Sequence, residues 1–256
     1  MRWLLLRGLL RDARHWGDFP QVLESRLGGA EPLCLDHAGV GTQLGFPAPA
    51  TISGMTEHLR ARFLAERNSG ERWGLLGVSL GGMVALDWLH RHPEDFARGV
   101  LVNTSAADVG FPWERLRWER ARELYRCTVG THAERERTIL RMTTRLEGAA
   151  LDAAAEHWTR LAWERPVPPD VGARQVAAAT RFRLPPRLSV PTLVMLGRAD
   201  RLVHPAISER IARKLRLPLA EHPDGEHDLP VDDPHWVAEQ VASFERLAHS
   251  PQENAA

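Results

Sequence analysis

Six short apolar runs punctuate this chain: Trp3–Leu6, Pro32–Leu35, Gly74–Val78, Gly99–Val102, Thr192–Leu196 and the weaker Leu217–Glu221. None alternates cleanly between apolar and polar residues. A strand with one wet face alternates and a strand covered on both faces does not, so these runs predict a parallel sheet lying between layers of helices. Helical periods fill the gaps. Ile52, Met55, Leu59 and Phe63 recur at three- and four-residue steps behind a capping candidate, Thr51. Asp233 followed by Pro234 marks another helix start, after which Val237, Val241, Phe244 and Leu247 share one stripe. Alternation of this kind predicts the α/β class.

One segment breaks the pattern. Residues 108–186 are helical and charge-rich and hold no strand candidate. Trp113, Leu116, Ala121, Leu124 and Tyr125 form one stripe there; Leu151, Ala154, Ala155, Trp158, Leu161 and Ala162 form a second. Pro166-Val167-Pro168-Pro169 and Pro185-Pro186 interrupt or end the segment. A helical block between two strands of a parallel sheet predicts an insertion into one core, made of residues 1–107 and 187–256. A length of 256 residues suits that arrangement.

Composition excludes several classes of function. With 33 Lys and Arg against 33 Asp and Glu, the formal net charge is zero, which leaves no footprint for nucleic acid. Cys34 lies in an apolar run and Cys127 among helical charge, so two cysteines make no disulfide framework and a reduced compartment is expected. The apolar run at the N-terminus is too short for a signal-peptide core, and no segment approaches the roughly 20 apolar residues of a membrane span. The expectation is a cytoplasmic, soluble protein.

The chemical signal is Gly77-Val78-Ser79-Leu80-Gly81, with Gly82 directly after it. An apolar strand leads in and a helical period (Met83, Leu86, Leu89) leads out, the strand–turn–helix context that exposes a serine hydroxyl above a sheet. A plain glycine-rich turn with serine as a cap is the alternative. A serine needs a base to take its proton, and the base needs an acid to orient it. Downstream, Asp200 follows the Thr192–Leu196 strand in Gly197-Arg198-Ala199-Asp200, and His227 follows the last strand candidate in Pro223-Asp224-Gly225-Glu226-His227. Asp224 and Asp228 compete for the role of acid, and His222 for that of base. Two backbone donors for an oxyanion are assigned to the amide of Leu80, after the serine, and of Leu9, in the loop Arg7-Gly8-Leu9-Leu10.

On these motifs, together with the turn Asp36-His37-Ala38-Gly39-Val40-Gly41 and the final helix, the chain resembles the α/β-hydrolase superfamily over nearly its whole length. It is similar in particular to compact, lidded bacterial serine esterases. The resemblance implies Ser79 as nucleophile, Asp200 as acid, His227 as base, the Leu9 and Leu80 amides as oxyanion hole, and residues 108–186 as a helical cap. Two departures stand out. Many relatives carry histidine-glycine where this chain has Arg7-Gly8. The first strand candidate starts at Trp3, so the usual antiparallel hairpin before it is expected to be missing, and a mostly parallel sheet of about six strands is expected.

The expected activity is hydrolysis of a small-molecule carboxylic ester through an acyl-enzyme, without a cofactor. The same triad could serve as a thioesterase, lactonase, amidase or carbon–carbon bond hydrolase. A rival of another class is a non-catalytic small-molecule binder on this fold. Trp113, Trp118, Trp158 and Trp163 of the cap are weak candidates for substrate contact. His222, Asp224, His227 and Asp228 have metal-ligand chemistry but no zinc-site spacing, so no metal is expected.

Overall fold

The computed structural model describes residues 1–29, 31–68, 70–115, 120, 122–123 and 130–247. Its strands are β1 (Arg2–Leu6), β2 (Leu33–Leu35), β3 (Trp73–Val78), β4 (Arg98–Val102), β5 (Thr192–Gly197) and β6 (Leu219–His222). They form one sheet in the order β2-β1-β3-β4-β5-β6, and every pairing is parallel. Among the described residues the sheet has six strands, the number the sequence reading expects. The last strand begins two residues later than expected. Arg216 takes a left-handed backbone (φ 55°) and the amide of Leu217 turns back to the carbonyl of Ala212 at 2.8 Å, so Leu217 ends the preceding helix instead of opening a strand.

The unbroken apolar runs have a simple cause. Trp3 and Leu5, Leu76 and Val78, Val100 and Val102, and Leu193 and Met195 bury one face of the sheet. That face packs on α1 (Phe19–Leu27), on the short α9 (Leu229–Asp232) and on α10 (Pro234–Leu247) through Phe19, Leu23, Leu229, Val237 and Val241. Leu4, Leu6, Leu75, Leu101 and Val194 point the other way, against α2 (Ile52–Glu66), α3 (Leu80–Arg91) and α8 (Ala206–Leu215). Side chains on a strand alternate between faces, so strands wet on neither side must be apolar throughout. The caps fall where expected: Thr51 Oγ1 accepts the Gly54 amide at 3.1 Å, and Asp233 Oδ1 accepts the Trp236 amide at 2.9 Å.

Between β4 and β5 the described residues form α4 (Pro112–Arg115), α5 (His132–Thr143), α6 (Gly148–Glu164) and α7 (Pro169–Arg181). Leu140 of α5 packs with Leu151, Ala155, Trp158 and Leu161 of α6, which is the second expected stripe. Of the first stripe only Trp113 falls on described residues; Leu116, Ala121, Leu124 and Tyr125 lie outside them, as do Trp118 and Cys127. α7 crosses the sheet's carboxyl edge. Its Val171 presses on Gly39 after β2, and beyond its last turn the Phe182 carbonyl accepts the Ala107 amide, after β4, at 2.6 Å. Among the described residues, no helix is long and apolar enough to cross a membrane.

The turn from β3 into α3 leaves no space for side chains. A Cβ at Gly77 would lie 2.2 Å from the Gly81 carbonyl oxygen, and one at Gly81 would lie 2.3 Å from that of Leu6. Both obstacles are backbone, so neither can swing aside. Gly81→Ala is therefore expected to lower the unfolding free energy by about 3 kcal/mol. Denaturant titration checks this as a lower midpoint at constant slope; an unchanged midpoint would refute it.

Candidate active site

Ser79 sits at that turn with φ 55° and ψ −115°, a backbone that non-glycine residues rarely adopt. The surroundings enforce it. The Ser79 amide donates to the Val102 carbonyl at 2.9 Å, and the Thr104 hydroxyl donates to the Ser79 carbonyl at 2.8 Å. The residue is half-buried, at the first turn of α3, where the dipole favours negative charge.

Asp200 and His227 are brought together from the loops after β5 and β6. His227 Nδ1 donates to Asp200 Oδ2 at 2.8 Å, and both side chains are buried. The other carboxylate oxygen of Asp200 accepts the Leu202 and Val203 amides at 2.8 and 2.9 Å, so the acid cannot rotate away. With Nδ1 protonated by this bond, the neutral ring presents Nε2 as its basic nitrogen. Burial alone pushes the imidazole pKa down. The charge and hydrogen bond of Asp200, with Asp228 behind it, outweigh burial and raise it above its ordinary value.

The histidine loop is tied to the end of β4 beside the serine. Asn103, next to Val102 and Thr104, donates through Nδ2 to the carbonyls of Glu226 and His227 at 2.9 and 2.8 Å. Ser79 and His227 are thus anchored to adjacent residues of one strand end. No hydrogen bond joins Ser79 Oγ to His227 among the described residues, and in unliganded sites such bonds are often long.

The loop after β1 closes the other side. A Cβ on Gly8 would lie 3.3 Å from Ser79 Cβ, so the loop rests against the serine. Leu80 directly follows Ser79 and Leu9 directly follows Gly8, so the amides of both belong to the two turns that meet at the serine. Arg7, where a histidine was the usual residue, has a structural role. It is buried, paired in a fork with Asp228 at 2.9 and 2.5 Å, and stacked over Trp16 with 4.6 Å between guanidinium carbon and ring centre. Its carbonyl accepts the Nε2 proton of fully buried His37 at 3.0 Å.

The remaining expectations divide. His222 bonds Asp233 at 3.3 Å and packs on Trp236, away from the pair of Asp200 and His227. Asp224 is exposed, and Asp228 belongs to Arg7, so the histidine–aspartate group is shared among separate partners. Trp113 is exposed and stacked on Phe111, Trp163 is exposed beside His132, and Trp158 is buried beneath Arg11 and against His15. Asn103 and the Arg7–Asp228 pair escaped the sequence reading. The only local signal for Asn103 was its place just past an apolar strand.

A model described as the alpha/beta hydrolase family matches residues 3–240. Among similar solved structures, an esterase from Thermogutta terrifontis is 20% identical with a TM-score of 0.72, over 98% of this chain and 91% of that one. An enol-lactonase from Burkholderia xenovorans is 19% identical with a TM-score of 0.71, over 96% and 90%. A hydrolase from Pseudomonas aeruginosa is 21% identical with a TM-score of 0.73, over 95% and 89%. At such identities the likeness is one of fold. No curated protein matches this chain.

Removing one member of the Arg7–Asp228 pair strands a charge in the interior. Arg7→Met should cost about 3–5 kcal/mol in unfolding free energy, and adding Asp228→Leu should recover most of it. Equal losses in the single and double variants would refute this account.

Proposed function

Because the chain belongs to the alpha/beta hydrolase family, we propose that it is a serine hydrolase of small carboxylic esters working through an acyl-enzyme. The observation that carries this reading is the buried bond between Asp200 and His227, placed one strand end away from a serine in a strained turn. Ser79 Oγ attacks the ester carbonyl carbon while His227 Nε2 takes the hydroxyl proton. The carbonyl oxygen becomes an oxyanion held by the Leu9 and Leu80 amides. Collapse breaks the bond to the alkoxide, which leaves with the proton from His227. Water then attacks the acyl-enzyme, gives its proton to His227, and the acid departs as Ser79 recovers a proton. Asp200 holds the Nδ1 hydrogen bond and stabilises the imidazolium at each stage.

In this proposal residues 108–186 form a cap, and the walls between cap and core select the acyl and alcohol groups. An esterase and an enol-lactonase among the similar folds agree with an acyl–oxygen bond as the target.

Ser79→Ala and His227→Ala should each remove most hydrolysis of p-nitrophenyl esters, by about 10⁴-fold or more, and the double variant should lose little beyond either alone. Additive losses would separate the two residues. The acyl-length profile of the unsubstituted chain outlines the pocket. No turnover and no fluorophosphonate labelling would favour a binding protein.

Since the pKa of His227 is raised, its base form is lost sooner as pH falls. The acid limb of kcat/KM should therefore have its midpoint above the ordinary imidazole value of 6.5. Linkage has the opposite sense: the stability this group adds is complete below 6.5 and fades as pH rises through the raised value. A midpoint below 6.5 in the pH–rate profile would contradict the assignment.

A further inference from the structure

Leu10 has a φ of 59°, in the left-handed region that costs a leucine energy. Something must hold it there. Its amide donates to Oε1 of Gln175 at 2.9 Å, across 165 residues of sequence. Gln175 lies on α7, the helix that crosses from the loop after β2 to the loop after β4, and it is 0% exposed. Gly172, one turn earlier, meets the Leu10 side chain from the same helix. Other bonds from this layer, Arg11 to Glu136 at 2.6 Å and Arg14 to the Leu161 carbonyl at 3.1 Å, grip the loop farther along. Of these hydrogen bonds, that of Gln175 is the one that reaches the strained residue, one peptide from the Leu9 amide and two residues from the Gly8 that rests on Ser79.

The nitrogen of the same side chain is unpaired. Gln175 Nε2 is buried without a hydrogen-bond partner. A buried orphan donor lowers stability, and leucine or methionine would fill the volume without it. Packing therefore does not account for a glutamine here, whereas the bond from its oxygen to the Leu10 amide does.

We propose that Gln175 is a positioning residue for the oxyanion hole. By holding Leu10 left-handed from α7, it aims the Leu9 amide at the oxygen bound above Ser79. The donor is then correctly placed only while α7 is docked on the sheet edge. This inference rests on the serine-hydrolase reading and adds to it a link between α7 and the chemical step.

The test uses the full chain and a fluorophosphonate probe, whose attack by Ser79 passes through the same oxyanion site whichever acyl bond is the true substrate. Gln175→Met should slow labelling about 10- to 100-fold with little change in the thermal midpoint, because it removes one orphan donor, Nε2, and leaves another, the Leu10 amide. Leu10→Asn, which favours the left-handed backbone by itself, should restore much of the rate in that background. Should Gln175→Met unfold, Gln175→Asn gives the same comparison, since it keeps the carboxamide but falls short of Leu10. Labelling of the Gln175 variants at the rate of the unsubstituted chain overturns this proposal alone. A slowed variant that Leu10→Asn does not rescue also overturns it, because a packing defect would behave that way. No labelling of the unsubstituted chain overturns the serine-hydrolase reading, and this inference with it.

Discussion

The carboxamide of Asn103 makes three bonds at the end of β4: Nδ2 to the Glu226 and His227 carbonyls, and Oδ1 from the Gly197 amide. Those backbone groups belong to the loops that present the base and the acid. In water, such bonds exchange for bonds to solvent and each nets only about 0.5–1.5 kcal/mol. Inside, with the side chain 2% exposed, deleting it would leave three backbone groups to find new partners in a dry place. The sheet supplies the base on which this rests. Parallel strands bring their carboxyl ends, and with them the loops that matter, to one edge. Asn103 itself has a φ of 45°, and like Ser79 and Leu10 it is a non-glycine residue in left-handed backbone at this edge. Strain gathers where the loops meet.

Buried charge performs a second kind of work. Arg7–Asp228 joins the loop after β1 to the histidine loop, and Arg11–Glu136, backed by Trp158, joins that same loop to α5. Asp228 also donates its amide to the Thr143 carbonyl at 2.8 Å, and Asp232 accepts the Arg145 amide at 2.7 Å. The cost of desolvating such pairs roughly cancels their attraction, while breaking one is expensive. Pairs of this sort add little to the depth of the native state and much to its uniqueness. A loop that moved away from its partner here would leave an ion unpaired in the interior.

Most of the framework was legible in the sequence because it depends on local rules. Unbroken apolar runs located all six strands, 3.6-residue periods located the capped helices α2 and α10, and the order serine, aspartate, histidine along the chain set out the candidate site. The largest strand shift, at Leu217, came from a helix-terminating turn at Arg216, a non-glycine residue without the usual turn signal. Hidden from the sequence were the partnerships over long separations: Arg7 with Asp228, Leu10 with Gln175, Asn103 with the histidine loop. A glutamine within an amphipathic helix or an arginine after a strand looks like a solvated surface residue. Only the third dimension shows that each is buried and what it meets. For the same reason Trp158, entered as a candidate for substrate contact, turns out to lie under Arg11 in the joint between α6 and the loop after β1.

The helices between β4 and β5 have a consequence in time. β4 pairs with β5, yet the chain must be extended by 90 residues, from Val102 to Thr192, before that partner exists. At the pace of ribosomal synthesis this takes roughly 5–18 s. For that interval the half-sheet of β2, β1, β3 and β4 ends in an open row of amides and carbonyls flanked by Val100, Leu101 and Val102. Such an edge is a template for any other strand. The nascent chain is therefore most exposed to misassembly while its middle third is being made, and an early-packing α5–α6 pair would give the emerging segment something to do other than join that edge.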